Sequence, residues 1–266
     1  MDERDGKLQG GELEVKSPAM LWLENYWYHY KWHTLAAIFI IIVVVVCTLQ
    51  MCSREEIDVQ IMYAGNDDIS QLRGDAELSE HEELIKAICR FVGDRDGDGK
   101  RTAGVLNLFI PSDEHIAELL EQLGDEYEIN EPLVRSNLES FNSNIVYGDY
   151  YICIIGDHLL EMKQAEDEKD NPFVKITEYL PEGAEYVFGD ESTESDGYVL
   201  ASEYGVYLHS TPLADNPAFS ELDRNTVIVM RRFSEVTSAF ASSRSEAYFR
   251  FSEDTLRKML ADEAYE

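Results

Sequence analysis

The chain has 266 residues, 44% hydrophobic and 11% aromatic, which is enough apolar side chain to bury a core and too much for a disordered polymer. Its formal charge is −31, and residues 54–266 hold 18 Lys and Arg against 47 Asp and Glu, a net −29. That part of the chain repels phosphate backbones and anionic lipid headgroups, so nucleic acid is disfavoured as a partner, whereas cations, cationic ligands and basic proteins stay open.

Residues 1–33 read as a short tail that ends in an aromatic membrane edge. Tyr26, Trp27, Tyr28, Tyr30 and Trp32 crowd there, interleaved with His29, Lys31 and His33, and amphipathic rings of this kind sit at headgroup level. Residues 34–51 carry no charged side chain, and 38–46 is an unbroken apolar run. As a helix this stretch reaches roughly 27 Å, close to the hydrocarbon thickness of a bilayer. The β-branched residues 40–46 would suit a buried strand at half the length, but lipid requires the backbone to bond within one helix. The run exceeds the apolar core of a signal peptide, lies behind a polar start and is followed by no small-x-small cleavage site. Neither Cys47 after Val46 nor Cys52 after Met51 has the small neighbour a lipoprotein site requires. A retained transmembrane helix anchored in the lipid bilayer is therefore expected at 34–51. Lys16 and Lys31 before it, and Arg54 with Glu55, Glu56 and Asp58 after it, set the N-terminus in the cytoplasm and residues 55–266 outside the cell.

Within residues 55–266, alternation over 57–63 predicts a first strand, ended by Gly65, Asn66, Asp67 and Asp68. Ser79 with Glu82 makes a capping box that opens a helix through Leu84, Ile85, Ile88 and Phe91. A second strand follows at 104–110. Pro111 stops it, and Ser112 caps a helix carrying Ile116, Leu119, Leu120 and Leu123. Leu133, Val134, Leu138, Phe141 and Ile145 recur at helical spacing and lead into residues 150–155, which are apolar on both faces as a central parallel strand should be. Gly156 and Asp157 end that run, and 158–163 begins another helix. This order predicts an α/β domain with a mostly parallel sheet flanked by helices. Residues 171–196 are acidic and turn-rich, 198–208 and 226–230 read as strands, and 252–262 reads as a terminal helix. Cys89 and Cys153 sit among apolar neighbours and read as buried thiols, with a bridge between them left open.

Two groups of residues carry candidate chemistry. In the run Asp94-Arg-Asp-Gly-Asp-Gly99, Asp94, Asp96 and Asp98 stand at alternate positions with glycine permitting a sharp turn, as a loop for a hard cation such as calcium requires. Val105 occupies the twelfth loop position, where a bidentate glutamate belongs, so the competing reading is a helix-to-strand turn built from Asp and Gly. The second group follows from the rule that open α/β sheets bind ligands beyond the carboxyl ends of their strands. Ser112, Asp157 and Arg231 are the candidate ligand-binding residues there, with helix N-termini after Pro111 and Gly156 suited to an anionic group. Enzyme motifs of the Gly-x-Ser-x-Gly, His-Glu-x-x-His and glycine-rich dinucleotide kinds do not occur, and a hydrolase would need a Ser or Cys within reach of His81, His115, His158 or His209.

The phrase Gly148-Asp-Tyr-Tyr-Ile-Cys-Ile-Ile-Gly-Asp157 resembles a strand of extracellular solute-binding proteins of bacterial transport systems. The order of elements over residues 57–160 resembles one lobe of such a protein, although the domain is too short for two lobes and these proteins usually hang from a lipid. The layout as a whole is similar to uncharacterised membrane-anchored extracellular proteins of Gram-positive bacteria. Neither resemblance carries an activity. The reading these features support is a membrane-anchored extracellular binding or sensing module for calcium or a small solute. The alternative is a non-enzymatic interaction or scaffold domain of a membrane complex, with a protein partner.

Overall fold

A computed structural model describes residues 18–52, 57–70, 79–123, 129–164, 169–233 and 244–265. Lys16, Arg54, Glu55 and Glu56, which carry most of the orientation argument, lie outside the described residues. The chain divides into two compact units, residues 1–55 and 56–266.

The first unit is one helix, α1 (Pro18–Cys52). Its stretch Tyr26–Thr48 has a mean hydropathy of 2.1 and none of it is buried within the protein, so it is long and apolar enough to cross a membrane. The helix starts well before residue 34. Trp22, Tyr26 and Tyr30 stack one turn apart along it, with ring centroids 5.6 and 5.3 Å apart. Thr48 hides its hydroxyl by donating to Val44 O at 2.7 Å.

The second unit is built on a mixed sheet. β1 (Val59–Gly65) lies between β2 (Ala103–Phe109) and β3 (Ile152–Gly156), all three parallel. α2 (Glu80–Cys89) connects β1 to β2 and starts at the expected capping box, in which Glu82 N donates to Ser79 Oγ and Ser79 N to Glu82 Oε2. α3 (Asp113–Leu123) and α4 (Glu131–Tyr147) connect β2 to β3, and α5 (Asp157–Lys163) follows directly. Ser112 Oγ accepts His115 N at 3.1 Å to cap α3, and Asn130 Oδ1 accepts Leu133 N at 3.2 Å to cap α4.

Beyond β3 the sheet turns mostly antiparallel. β8 (Thr226–Arg231) runs against β3, while β7 (Gly205–Tyr207) and β4 (Phe173–Val174) run against the other edge of β8. β6 (Tyr198–Ser202) pairs antiparallel with β7, and β5 (Tyr186–Phe188) parallel with β6 ends the sheet. The expected parallel character is thus confined to β2-β1-β3 and the β5–β6 pair. The run 198–208 is a hairpin rather than one strand, since Glu203 and Tyr204 turn between β6 and β7. α6 (Pro217–Ser220) is a single turn, and the terminal helix α7 (Arg244–Ala261) begins eight residues before the expected residue 252.

Alternation along the strands sorts side chains to two helical layers. Ile61, Tyr63, Ile152, Ile154 and Ile228 pack with Leu84 and Ile88 of α2, with Phe91 just after it, and with Leu256, Met259 and Leu260 of α7. Met62, Ala64, Cys153, Ile155 and Val229 pack with Phe141 and Ile145 of α4 and with Leu159 and Leu160 of α5. Cys89, on α2, and Cys153 therefore lie on opposite sides of the sheet. Both are free thiols, and burial pushes Cys153 up to about 12.

Candidate functional site

From β1 the chain crosses to β2 over one face of the sheet, then to β3 over the other. An open α/β sheet offers its crevice where connections diverge in this way, between the carboxyl ends of β1 and β3. Because β8 is antiparallel to β3, its N-terminal end shares that edge, as do the end of β7 and the start of β6.

The chain fills this crevice itself, with the turn that leads into β8. Asn66, which is buried, donates through Nδ2 to Asp223 Oδ2 at 2.6 Å and accepts Ser112 N through Oδ1 at 2.8 Å. Asp67 Oδ2 accepts Asp223 N at 2.9 Å and the Tyr63 hydroxyl at 3.3 Å. Asp157 N donates to Asn225 O at 2.8 Å, and His115 Nδ1 lies 4.0 Å from Asp223 Oδ2. Burial, then the charge of Asp67, holds the Tyr63 hydroxyl well above its ordinary pKa.

Ser112 and Asp157 stand at this edge, each committed to an internal contact. Ser112 caps α3. Asp157 opens α5 and accepts the Tyr207 hydroxyl at 3.0 Å. Burial lifts its carboxyl above the usual value, while the hydrogen bonds from Tyr207 and from the His158 backbone pull it down. The His158 ring packs on Gly156, where a Cβ would come within 2.5 Å of its Cε1, and its Nε2 lies 3.0 Å from Ile110 O.

Arg231 is not at this edge. An antiparallel β8 carries its last residue to the opposite end of the sheet, beside Tyr151. The side chain is 1% exposed and donates to Tyr150 O at 3.2 Å, to Ile145 O at 3.4 Å and to Gly148 O. Its guanidinium carbon lies 4.5 Å from the centre of the Tyr151 ring. Arg231 thus ties the C-terminal turn of α4 to the sheet and is separated from Ser112 and Asp157.

An opening does exist at the strand-end edge, displaced from the filled crevice toward β6 and β7. It is a cavity of about 520 Å³ lined by Thr193, Glu194, Ser195, Asp196, Val199, His209, Ser210 and Arg224. His209 holds two of its walls together, with Nδ1 3.3 Å from Arg224 O and Nε2 3.4 Å from Thr193 O. Arg224 Nε donates to Glu191 O at 3.3 Å, and Ser210 Oγ accepts Val199 N at 2.8 Å. One guanidinium, one imidazole, two carboxylates and three hydroxyls therefore border one space. Sequence reasoning missed these residues as a site, naming only His209, as one of four scattered histidines. Thr193 to Asp196 fall in the acidic stretch that shows no periodicity, and His209 and Arg224 belong to no motif.

The acidic loop forms a tight turn at the other end of the sheet. Asp94 Oδ1 accepts Gly97 N at 2.7 Å and Asp98 N at 3.1 Å, and Asp94 Oδ2 accepts Gly99 N at 2.9 Å. Gly97 and Gly99 hold φ of 76° and 84°, a region that favours glycine. Asp58, 1% exposed, fastens the loop by accepting Arg95 N and Thr102 N at 2.8 Å each. Oxygens of Asp58, Asp94 and Asp96 lie within 4.8 Å of one another, so Asp58 stands where Asp98 was expected. Asp98 Oδ1 instead accepts Lys100 N at 2.7 Å. The hydrogen bond from the Asp98 backbone lowers the Asp96 pKa, but slight desolvation and the charges of Asp98, Asp58 and Asp94 raise it, with a net upward shift.

Comparison with known proteins returns no matching family model, no matching curated protein and no matching solved structure.

Proposed function

We propose that this chain is a membrane-anchored binding module. Helix α1 holds it with the N-terminus in the cytoplasm, and the α/β domain outside takes a small polar solute at its strand-end edge. The observation that carries this reading is the cavity whose lining includes Arg224 and His209 together with Glu194 and Asp196. Charges of both signs around a polar space suit a small zwitterion, whose carboxylate faces the guanidinium and whose ammonium faces the carboxylates. Thr193, Ser195 and Ser210 supply hydroxyls that fix its orientation. The resemblance of residues 57–160, read from the sequence, to one lobe of solute-binding proteins points the same way.

The test is thermal melting of the full chain in detergent micelles against a panel of free amino acids and neutral sugars. A solute at about a hundred times its dissociation constant adds roughly 2.7 kcal/mol and raises the midpoint by several degrees. The shift is expected with a zwitterion and is expected to vanish in Arg224→Ala. A flat response to the whole panel removes the reading. Calcium, tested against chelator, is a separate arm. The proximity of Asp58, Asp94 and Asp96 assigns no ion by itself, and a calcium shift lost in Asp96→Asn is the result that would.

A further inference from the structure

Strand β5 ends the sheet, and among the described residues no strand pairs with its outer side. Tyr198 N donates to Glu185 O at 3.0 Å and Gly189 N to Leu200 O at 3.1 Å, so the peptide groups of Glu185 and Gly189 turn toward β6. In an extended strand alternate residues turn the same way, which leaves Tyr186 and Phe188 presenting N–H and C=O outward. The side chains are open as well, with Tyr186 47%, Val187 42% and Phe188 60% exposed. The rings of Tyr186 and Phe188 share one face, edge to face with centroids 6.0 Å apart. An apolar strand with free backbone groups is a template for one more strand.

Charge decides which strand it accepts. Residues 178–196 contain seven Asp and Glu, every one exposed, and no Lys or Arg. A second copy added along this edge would set those carboxylates against their own equivalents, and like charges across a ladder destabilise it. A cationic segment meets the opposite situation. We propose that β5 is the docking edge for an extended, lysine- or arginine-bearing segment of another protein. That segment adds as a further strand, with apolar side chains against Tyr186 and Phe188 and cations against the flanking carboxylates. This docking does not require a solute in the cavity, although Glu194 and Asp196 belong to both the acidic run and the cavity wall.

The probe is a short labelled peptide of alternating lysine and valine, titrated by fluorescence anisotropy into the full chain in detergent micelles at about 0.15 M salt. Two controls accompany it: the same peptide N-methylated at every residue, which keeps the charge but has no backbone N–H on either edge to give a ladder, and a glutamate–valine counterpart. Saturable binding of the plain peptide is expected, weaker by about tenfold or more on N-methylation and in Phe188→Lys. Tyr186→Pro, which removes one outward N–H, is expected to weaken it too. An unchanged urea midpoint shows that each variant folds, and where it falls, the methylated control on the unaltered chain decides alone. Four results overturn the proposal: no binding; equal affinity for the methylated peptide, which means charge attraction only; equal affinity for the acidic peptide; or a sedimenting dimer dispersed by Phe188→Lys, which makes the occupant a second copy.

Discussion

Asp157 meets two opposing demands at the strand-end edge. Burial penalises its carboxylate, and the Tyr207 hydroxyl and the His158 backbone favour it, with burial prevailing. Its folded pKa therefore lies above the unfolded value, so the folded state holds the proton more tightly. The stabilisation this gives is fully present below the usual aspartate value of 3.8 and is lost as pH rises through the folded pKa. Asp157→Asn keeps an acceptor for Tyr207 and does not titrate. The variant and the unaltered chain are accordingly expected to differ least in acid, with the variant gaining relative stability as pH rises toward neutrality. Paired melting curves across that range check this, and a difference that narrows with rising pH contradicts it. Arg231 shows a different use of a buried polar group. Its donors reach three carbonyls of α4 and the following turn, and a buried carbonyl left unsatisfied costs roughly 1–3 kcal/mol.

At the scale of elements, much of the fold was legible because its signals are local. The Ser79–Glu82 box, the break at Pro111 and the apolar run 150–155 each specify their own element, and α2, α3 and β3 stand where those signals set them. The direction of β8 depends on a partner far away in sequence, and no local pattern encodes it. A strand-end argument that takes every strand as parallel therefore sends Arg231 to the wrong end and overlooks Arg224, which precedes the same strand. Turn 223–225, which fills the crevice, and loop 193–196, which borders the cavity, have no periodicity at all. Ser112 was visible for the right physical reason, its suitability as a cap, though a cap is all its hydroxyl is seen to be. Ser112→Ala is expected to lower stability by about 1 kcal/mol through α3 while leaving solute binding in the cavity unchanged. Urea denaturation and the solute melts together test this, since loss of solute response in a folded Ser112→Ala chain would bring the binding site back to the filled crevice.

The whole molecule joins two parts with incompatible solvents. Residues 34–48 carry no charged side chain and lie in a stretch none of which is buried, whereas residues 54–266 carry a net −29 that favours water. The proposed bilayer anchoring would reconcile the two and would put the aromatic cluster at Trp22, Tyr26 and Tyr30 at the membrane boundary. If so, the full chain stays with membranes through an alkaline carbonate wash. Ile41→Arg, well inside the apolar stretch, should release part of it, because arginine at mid-helix disfavours insertion by about 2.5–3.5 kcal/mol. Orientation has its own test. With the N-terminus inside, protease added to intact cells removes the acidic domain and spares an N-terminal tag. The proposed orientation rests on few cations, Lys16 and Lys31 against Arg54 near the span, so replacing both lysines with glutamate is expected to invert a fraction of the chains. A tag digested in intact unaltered cells, with the domain protected, would put the solute cavity and the β5 edge in the cytoplasm and change the pool from which either could draw a ligand.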